Sequence, residues 1–197
     1  MDALIIVDLQ NDFCPGGALA VNEGNLIVPM VNELQKQFDV VVATQDWHPK
    51  DHGSFASNHG REPGELILLN GLDQVLWPAH CVQGTNGAAF VDDLNMELVH
   101  KVFQKGADKT IDSYSGFFDN GQKKSTGLYD YLKEKSISSV YITGLATDYC
   151  VKFTALDAQK LGFKTTVLTK ACRGVDLKPG DVDSAIKEMI DAGISVV

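Results

Sequence analysis

Cysteine is scarce and scattered in this chain: Cys14, Cys81, Cys150 and Cys172 form no C-x-x-C pair. That excludes a disulfide framework and a thiolate zinc site, and it suits a reducing compartment. No apolar run reaches the length of a membrane span. The first one, Leu4-Ile5-Ile6-Val7, is too short for a signal peptide and has no basic region before it. A cytoplasmic protein is expected. Positive charge is in deficit, 17 Lys and Arg against 26 Asp and Glu, and the net charge of −9 argues against nucleic acid or an anionic membrane as main partner. Neither G-x-G-x-x-G nor a Walker loop occurs, so a dinucleotide or P-loop nucleotide is not indicated. Repeats, low-complexity tracts and linkers are missing too. The 197 residues are expected as one domain, 1–197, with a sizeable core.

What is present is alternation. Ala3 to Val7, Asp39 to Thr44, Glu97 to Phe103, Ile137 to Thr143 and Thr165 to Thr169 read as strands, with a last short one at Ile194 to Val197. Asn25 to Phe38 carries a helical stripe of Leu26, Ile27, Met30, Val31 and Leu34. Further helices are expected opening on Ser125-Thr126-Gly127-Leu128 and running through Leu132, from Asp148 to Leu161, and from Val182 to Ala192 before Gly193. Leu66 to Leu69 is a short apolar packing segment within an irregular stretch rich in Gly, Pro and His. Strands alternating with helices predict an α/β fold of three layers, a central, mostly parallel β-sheet flanked by helices.

The chemistry gathers at strand ends, where open α/β sheets bind ligands. Ile137 to Gly162 reads as strand, tight turn and helix, with Cys150 near the helix N-terminus. Unpaired N–H groups and the helix dipole there favour a thiolate and could hold an oxyanion. The plainer reading is a buried structural cysteine. Asp8 follows the first strand, where a turn or capping aspartate is the ordinary alternative. Lys105 follows another strand, where a solvated lysine is the default. In a parallel sheet Asp8, Lys105 and Cys150 share one edge, so a base, a cation and a thiol can meet. Asp46 and His48 alternate about Trp47, which puts a carboxylate and an imidazole on one side of an extended segment. His52, His59 and His80 follow, so four of the five histidines lie between positions 48 and 80. Loop histidines in ordinary hydrogen bonds are the alternative to a metal site.

Six segments, in this order, carry a resemblance. They are Val7-Asp8-Leu9-Gln10-Asn11-Asp12-Phe13, Asp46-Trp47-His48-Pro49, Trp77-Pro78-Ala79-His80-Cys81-Val82-Gln83-Gly84-Thr85, Lys105-Gly106, Asp112-Ser113-Tyr114-Ser115-Gly116-Phe117 and Gly144-Leu145-Ala146-Thr147-Asp148-Tyr149-Cys150-Val151. Together they cover nearly the whole chain, and it resembles the nicotinamidases and pyrazinamidases of the isochorismatase-like cysteine hydrolases. The resemblance implies Asp8, Lys105 and Cys150 as catalytic triad. It implies one divalent ion per chain on Asp46, His48 and His80, most readily zinc, with iron or manganese as alternatives and His52 as a fourth ligand in some relatives. It leaves His59 and His100 structural or at the surface. It implies a cis peptide at Leu145-Ala146, an oxyanion hole of the Ala146 and Cys150 N–H groups, and Phe13, Trp77 and Tyr114 as ring-walling residues. Tyr149 stands where relatives vary and bears on substrate range. The implied reaction is hydrolysis of nicotinamide to nicotinate and ammonia through a thioester, in NAD salvage, with pyrazinamide as a second substrate. A homo-oligomer is compatible with it. The isochorismate-hydrolysing branch lacks the thiol and the metal motif, and the N-carbamoyl amidase branch lacks the metal constellation. A non-catalytic ligand-binding protein on the same scaffold would not need an intact triad.

Overall fold

The computed structural model covers Met1 to Val197. Six strands form one parallel sheet in the order β5-β2-β1-β6-β7-β8. They are β1 (Asp2–Val7), β2 (Val40–Asp46), β5 (Lys101–Lys105), β6 (Ser139–Leu145), β7 (Lys164–Arg173) and β8 (Ser195–Val196). A separate antiparallel hairpin joins β3 (Leu66–Leu69) to β4 (Leu72–Val75). The helices are α1 (Val28–Gln35), α2 (Leu128–Glu134), α3 (Lys152–Lys160) and α4 (Asp181–Asp191).

The apolar runs of the central strands follow from burial on both faces. Ala3, Ile5 and Val7 of β1 pack with Leu128, Leu132, Ala155 and Met189 from α2, α3 and α4. Leu4 and Ile6 point the other way and pack with Val28 and Val31 of α1. The expected three-layer fold is therefore the one observed. None of the helices is long and apolar enough to cross a membrane.

Several boundaries differ from the sequence expectation. The strand predicted over Glu97 to Phe103 starts at Lys101, because Asn95 accepts a hydrogen bond from the Glu97 N–H at 3.0 Å and closes a 3₁₀ turn over Met96–Leu98. Lys105 is the last residue of β5, and Asp46 the last of β2. The helix expected over Asn25 to Phe38 is a 3₁₀ turn, Gly24–Ile27, followed by α1. The expected helix from Asp148 opens as a π turn, Thr147–Val151, before α3. Leu66 to Leu69 is no buried packing segment, since Leu66 and Leu68 are 67% and 73% exposed. It is half of a hairpin closed by Asn70-Gly71, both at positive φ, the pairing that a two-residue hairpin turn favours.

Candidate active site

The strand order reverses between β1 and β6, and the chain leaves the C-terminal end of β1 at this point. Asp8 takes a positive φ of 46° there, a conformation aspartate tolerates better than most residues. Its carboxylate accepts a hydrogen bond from the Thr44 hydroxyl at 2.7 Å. Lys105 Nζ lies 2.8 Å from Asp8 Oδ2, donates to the Ser113 carbonyl at 2.9 Å and reaches Cys150 Sγ at 3.4 Å. It is also hydrogen-bonded to Asp46 Oδ1. Cys150 Sγ lies within 4.8 Å of a carboxylate oxygen on each of Asp8 and Asp46. β6 can approach β1 this closely because Gly144, paired with Val7, has no Cβ to meet the Val7 backbone.

Electrostatics in this cluster is decided by burial and by one cation. Burial works against the Lys105 ammonium, but Asp46 and Asp8 outweigh it and hold its pKa well above the usual lysine range. Asp46 is likewise opposed by burial, yet Lys105 and His48 keep its carboxyl well below the usual range. Asp8 titrates above its ordinary value, raised by burial and by Asp46 against the pull of Lys105. The Cys150 thiol is pushed well up by burial, with Asp8 and Asp46 adding to that and Lys105 opposing it. This runs against the push toward thiolate that a helix N-terminus supplies. Burial and the two carboxylates thus work against the thiolate, and a base is needed to take the thiol proton.

The second cluster adjoins the first through Asp46. His48 Nε2 and His80 Nε2 lie 3.4 and 3.7 Å from Asp46 Oδ2. Each ring is fixed from behind: His48 Nδ1 donates to the Gly106 carbonyl at 2.9 Å, and His80 Nδ1 donates to the Pro78 carbonyl at 2.7 Å. A carbonyl only accepts, so Nδ1 carries a proton in both, and Nε2 is the atom left to offer a lone pair to a metal. Buried His48 Nε2 has no hydrogen-bond partner. Two imidazole lone pairs and a carboxylate oxygen, mutually within 4.8 Å, are a donor set that fits a divalent first-row ion. His52 falls instead into a neighbouring group with His48 and Asp112. Its Nδ1 takes the Ser54 N–H at 3.2 Å, unlike the carbonyl-bound Nδ1 of His48 and His80. His59 bonds the Gly53 carbonyl and His100 accepts from the Val41 N–H, both as ordinary loop and strand contacts.

Gly106 has a φ of +65°, and a Cβ there would sit 2.6 Å from His48 Nδ1. Gly106→Ala is therefore expected to displace the His48 ring and to strain the backbone by about 1–2 kcal/mol. At about 2–4 °C per kcal/mol for a chain of this size, Tm should fall by roughly 2–8 °C. Thermal unfolding checks this, and an unchanged Tm with an unshifted His48 imidazole resonance would refute it.

The expected ring-walling residues do converge. Phe13, Trp77, Tyr114 and Tyr149 line one cavity with His80 and Cys150. Trp77 and Tyr149 meet edge-on at 5.0 Å, and Phe13 lies 5.5 Å from the His80 ring. Asp46 and Ala146 line it too, and so do Leu19, Asp112 and Val175, to which the sequence reading gave no role. The Leu145-Ala146 peptide is cis, as the resemblance implied, and the Ala146 N–H donates to no protein acceptor.

Two supporting residues escaped sequence reasoning. Gln10 donates to the Asp46 carbonyl at 2.9 Å and accepts from the Asp46 N–H at 2.8 Å, extending the β1–β2 pairing past Asp8 with a side chain. Asp12 accepts from the Cys81 N–H at 2.7 Å and the Ala18 N–H at 3.1 Å, which ties the Phe13 loop to the His80 loop. Their spacing in Asp8-Leu9-Gln10-Asn11-Asp12 was the available signal.

The Isochorismatase domain model matches residues 2–197. A nicotinamidase of Escherichia coli (strain K12) is 50% identical over 198 residues, covering 98% of this chain and 93% of that protein. The solved structure of an Acinetobacter baumanii nicotinamidase/pyrazinamidase superposes with a TM-score of 0.96 at 49% identity, covering 100% of this chain and 95% of that one. A Pyrococcus horikoshii pyrazinamidase solved in complex with zinc gives 0.81 at 42% identity, covering 100% and 98%. A full-length match of this kind, on a chain whose thiol, carboxylates and lysine meet at one sheet edge, places the protein in the isochorismatase family.

Proposed function

We propose that this chain is a nicotinamidase: a cysteine-dependent amidohydrolase that converts nicotinamide to nicotinate and ammonia and also accepts pyrazinamide. The observation that carries the reading is Lys105 Nζ standing between Asp8 and Cys150 beside a three-donor metal set. The named activity of relatives at 49–50% identity across the chain agrees with it. The reading treats 1–197 as one catalytic domain, cytoplasmic and serving NAD salvage, with no nucleic-acid or membrane partner; it is compatible with a homo-oligomer.

In this reading the pyridine ring enters between Phe13, Trp77, Tyr114 and Tyr149, with the carboxamide carbon at Cys150. Asp8, whose raised pKa makes it a better base, takes the thiol proton, and sulfur attacks the carboxamide carbon. The Ala146 and Cys150 N–H groups receive the oxyanion. Collapse breaks the C–N bond as Asp8 returns the proton to the departing ammonia. Asp8 then takes a proton from water, which hydrolyses the thioester to nicotinate and restores the thiol. Lys105 keeps Asp8 ionised between steps and steadies the charge near sulfur. Asp46, His48 and His80 would hold a divalent ion, preferably zinc, with iron or manganese as alternatives; it would supply a Lewis acid and a template for the ring. His52 stands beside this set as a fourth candidate.

The test is ammonia release from nicotinamide by purified protein before and after dialysis against chelator. About one metal per chain should be found by elemental analysis, and its removal should abolish turnover until a divalent ion is returned. His48→Ala and His80→Ala should each weaken metal binding by more than the roughly 10–100-fold that loss of an outer-shell partner costs. Active protein free of transition metal would remove the metal from the reading. Metal-loaded protein inert toward nicotinamide would remove the substrate.

A further inference from the structure

The β3–β4 hairpin stands apart from the main sheet, and Gln74 is its one buried residue, 3% exposed. A buried amide is costly unless bonded, so its partners are informative. Gln74 Nε2 donates to the Val75 carbonyl at 2.7 Å, and it has Asp112 Oδ2 at 3.1 Å and the Tyr114 hydroxyl at 3.2 Å. Reversing the amide would point its oxygen at a carbonyl and a carboxylate, so the donor face is dictated by its surroundings. The Trp77 indole N–H donates to the same Tyr114 hydroxyl at 3.2 Å. Asp112 is fixed in turn, accepting from the Ser113 N–H at 2.8 Å. Tyr114 and Trp77 both face Tyr149, with ring centroids 5.6 and 5.0 Å away. The hairpin therefore reaches the cavity through one amide, and that amide meets the hydroxyl on which two wall rings depend.

We infer that Gln74 is a positioning residue that sets the aromatic wall of the ring slot, and with it which pyridine carboxamides fit. This rests on the nicotinamidase reading for its substrates but not for its geometry. Without the Gln74 donor, the Tyr114 hydroxyl keeps only Trp77, and the two rings lose their anchor to Asp112 and the hairpin. The slot should loosen toward ring substituents while the chemistry at Cys150 continues. A methyl group in a tight slot is commonly worth 10-fold or more in discrimination.

The test compares Gln74→Met, Tyr114→Phe and Leu68→Ser in the metal-loaded, full-length protein. Substrates are nicotinamide and its C5-methyl derivative. Gln74→Met should raise KM for nicotinamide about tenfold, leave kcat within about twofold, and cut the preference for nicotinamide over the methylated ring about tenfold. Tyr114→Phe, which deletes the shared hydroxyl and keeps the ring, should do the same and carries the test if Gln74→Met does not fold. Leu68→Ser, on the exposed face of the hairpin, should change nothing. A second readout needs no turnover: of the two indole N–H resonances, that of Trp77 should shift in both core variants, and upfield in Tyr114→Phe, which removes its acceptor. A folded Gln74→Met with unchanged KM and preference overturns the inference. So does a fall in kcat alone, or an equal effect from Leu68→Ser. If the wild type releases no ammonia from nicotinamide, the proposed function fails; the indole shift then decides the positioning role, and an unmoved resonance overturns it.

Discussion

Cys150→Ala should reduce ammonia release by a factor on the order of 10⁴ or more while the protein remains folded. No other side chain near Asp8 and Lys105 can form the thioester, so the whole route through sulfur is lost. Structure should survive for a specific reason. The Asp8–Lys105–Asp46 ion cluster does not need the thiol, and Lys105 keeps both carboxylates and the Ser113 carbonyl as partners. Bound metal should stay, because Asp46, His48 and His80 are untouched. The thioester itself gives a second check: wild-type protein turning over nicotinamide in hydroxylamine should yield the hydroxamate, and the variant should yield none. Turnover near wild type in Cys150→Ala would end the nucleophile assignment.

Lys105→Met should cost both activity and stability. The lysine is buried between two carboxylates, so removing its charge leaves Asp8 and Asp46 without their counterion. Breaking a buried pair in this way costs about 3–5 kcal/mol, which for a chain of this size lowers Tm by roughly 6–20 °C. From the sequence alone the methionine would appear to spare packing and remove only a charge; the contact with Asp46 makes it a structural change as well. Turnover should fall about a hundredfold or more, as when other groups that stabilise developing charge are removed. Cys150 should also react more slowly with iodoacetamide near neutral pH. Lys105 is the influence that opposes burial and the carboxylates in keeping the thiol pKa down. Unchanged alkylation with reduced turnover would confine Lys105 to substrate or intermediate. An unchanged Tm, alkylation rate and turnover would remove it from the site.

The parts legible in the sequence were those governed by local pattern. Apolar runs leading to Asp8 and, past Thr44, toward Asp46 marked strand ends, and the parallel-sheet rule brought Asp8, Lys105 and Cys150 to one edge although they are far apart in sequence. The parts that were not legible depend on what faces what. The upward push on the Cys150 thiol comes from burial and two carboxylates, which no spacing reveals. Asp46 serving both Lys105 and the histidines follows from its two oxygens pointing opposite ways. The Asn95 cap displaced the start of β5, and Asn70-Gly71 announced a hairpin that the apolar Leu66–Leu69 run concealed. Gln74 reads as an ordinary strand residue until its neighbours are known.

Asp8, Asp46, Lys105 and the turn bearing Cys150 extend from β1, β2, β5 and β6, neighbours in the order β5-β2-β1-β6. This has a consequence for the chain during its synthesis. β1 waits between two positions in the sheet, with β2 arriving early on one side and β6 only after most of the chain has been made. A growing chain can assemble Asp8, Asp46 and Lys105 first, so the lysine meets its carboxylates before any thiol reaches them. Parallel pairing over such separations is slow, because long loops must close before the contacts reward them. Incomplete chains would thus hold an ion cluster of one lysine and two carboxylates and no nucleophile, and reactivity would arise in one step, when β6 inserts beside β1 and delivers Cys150.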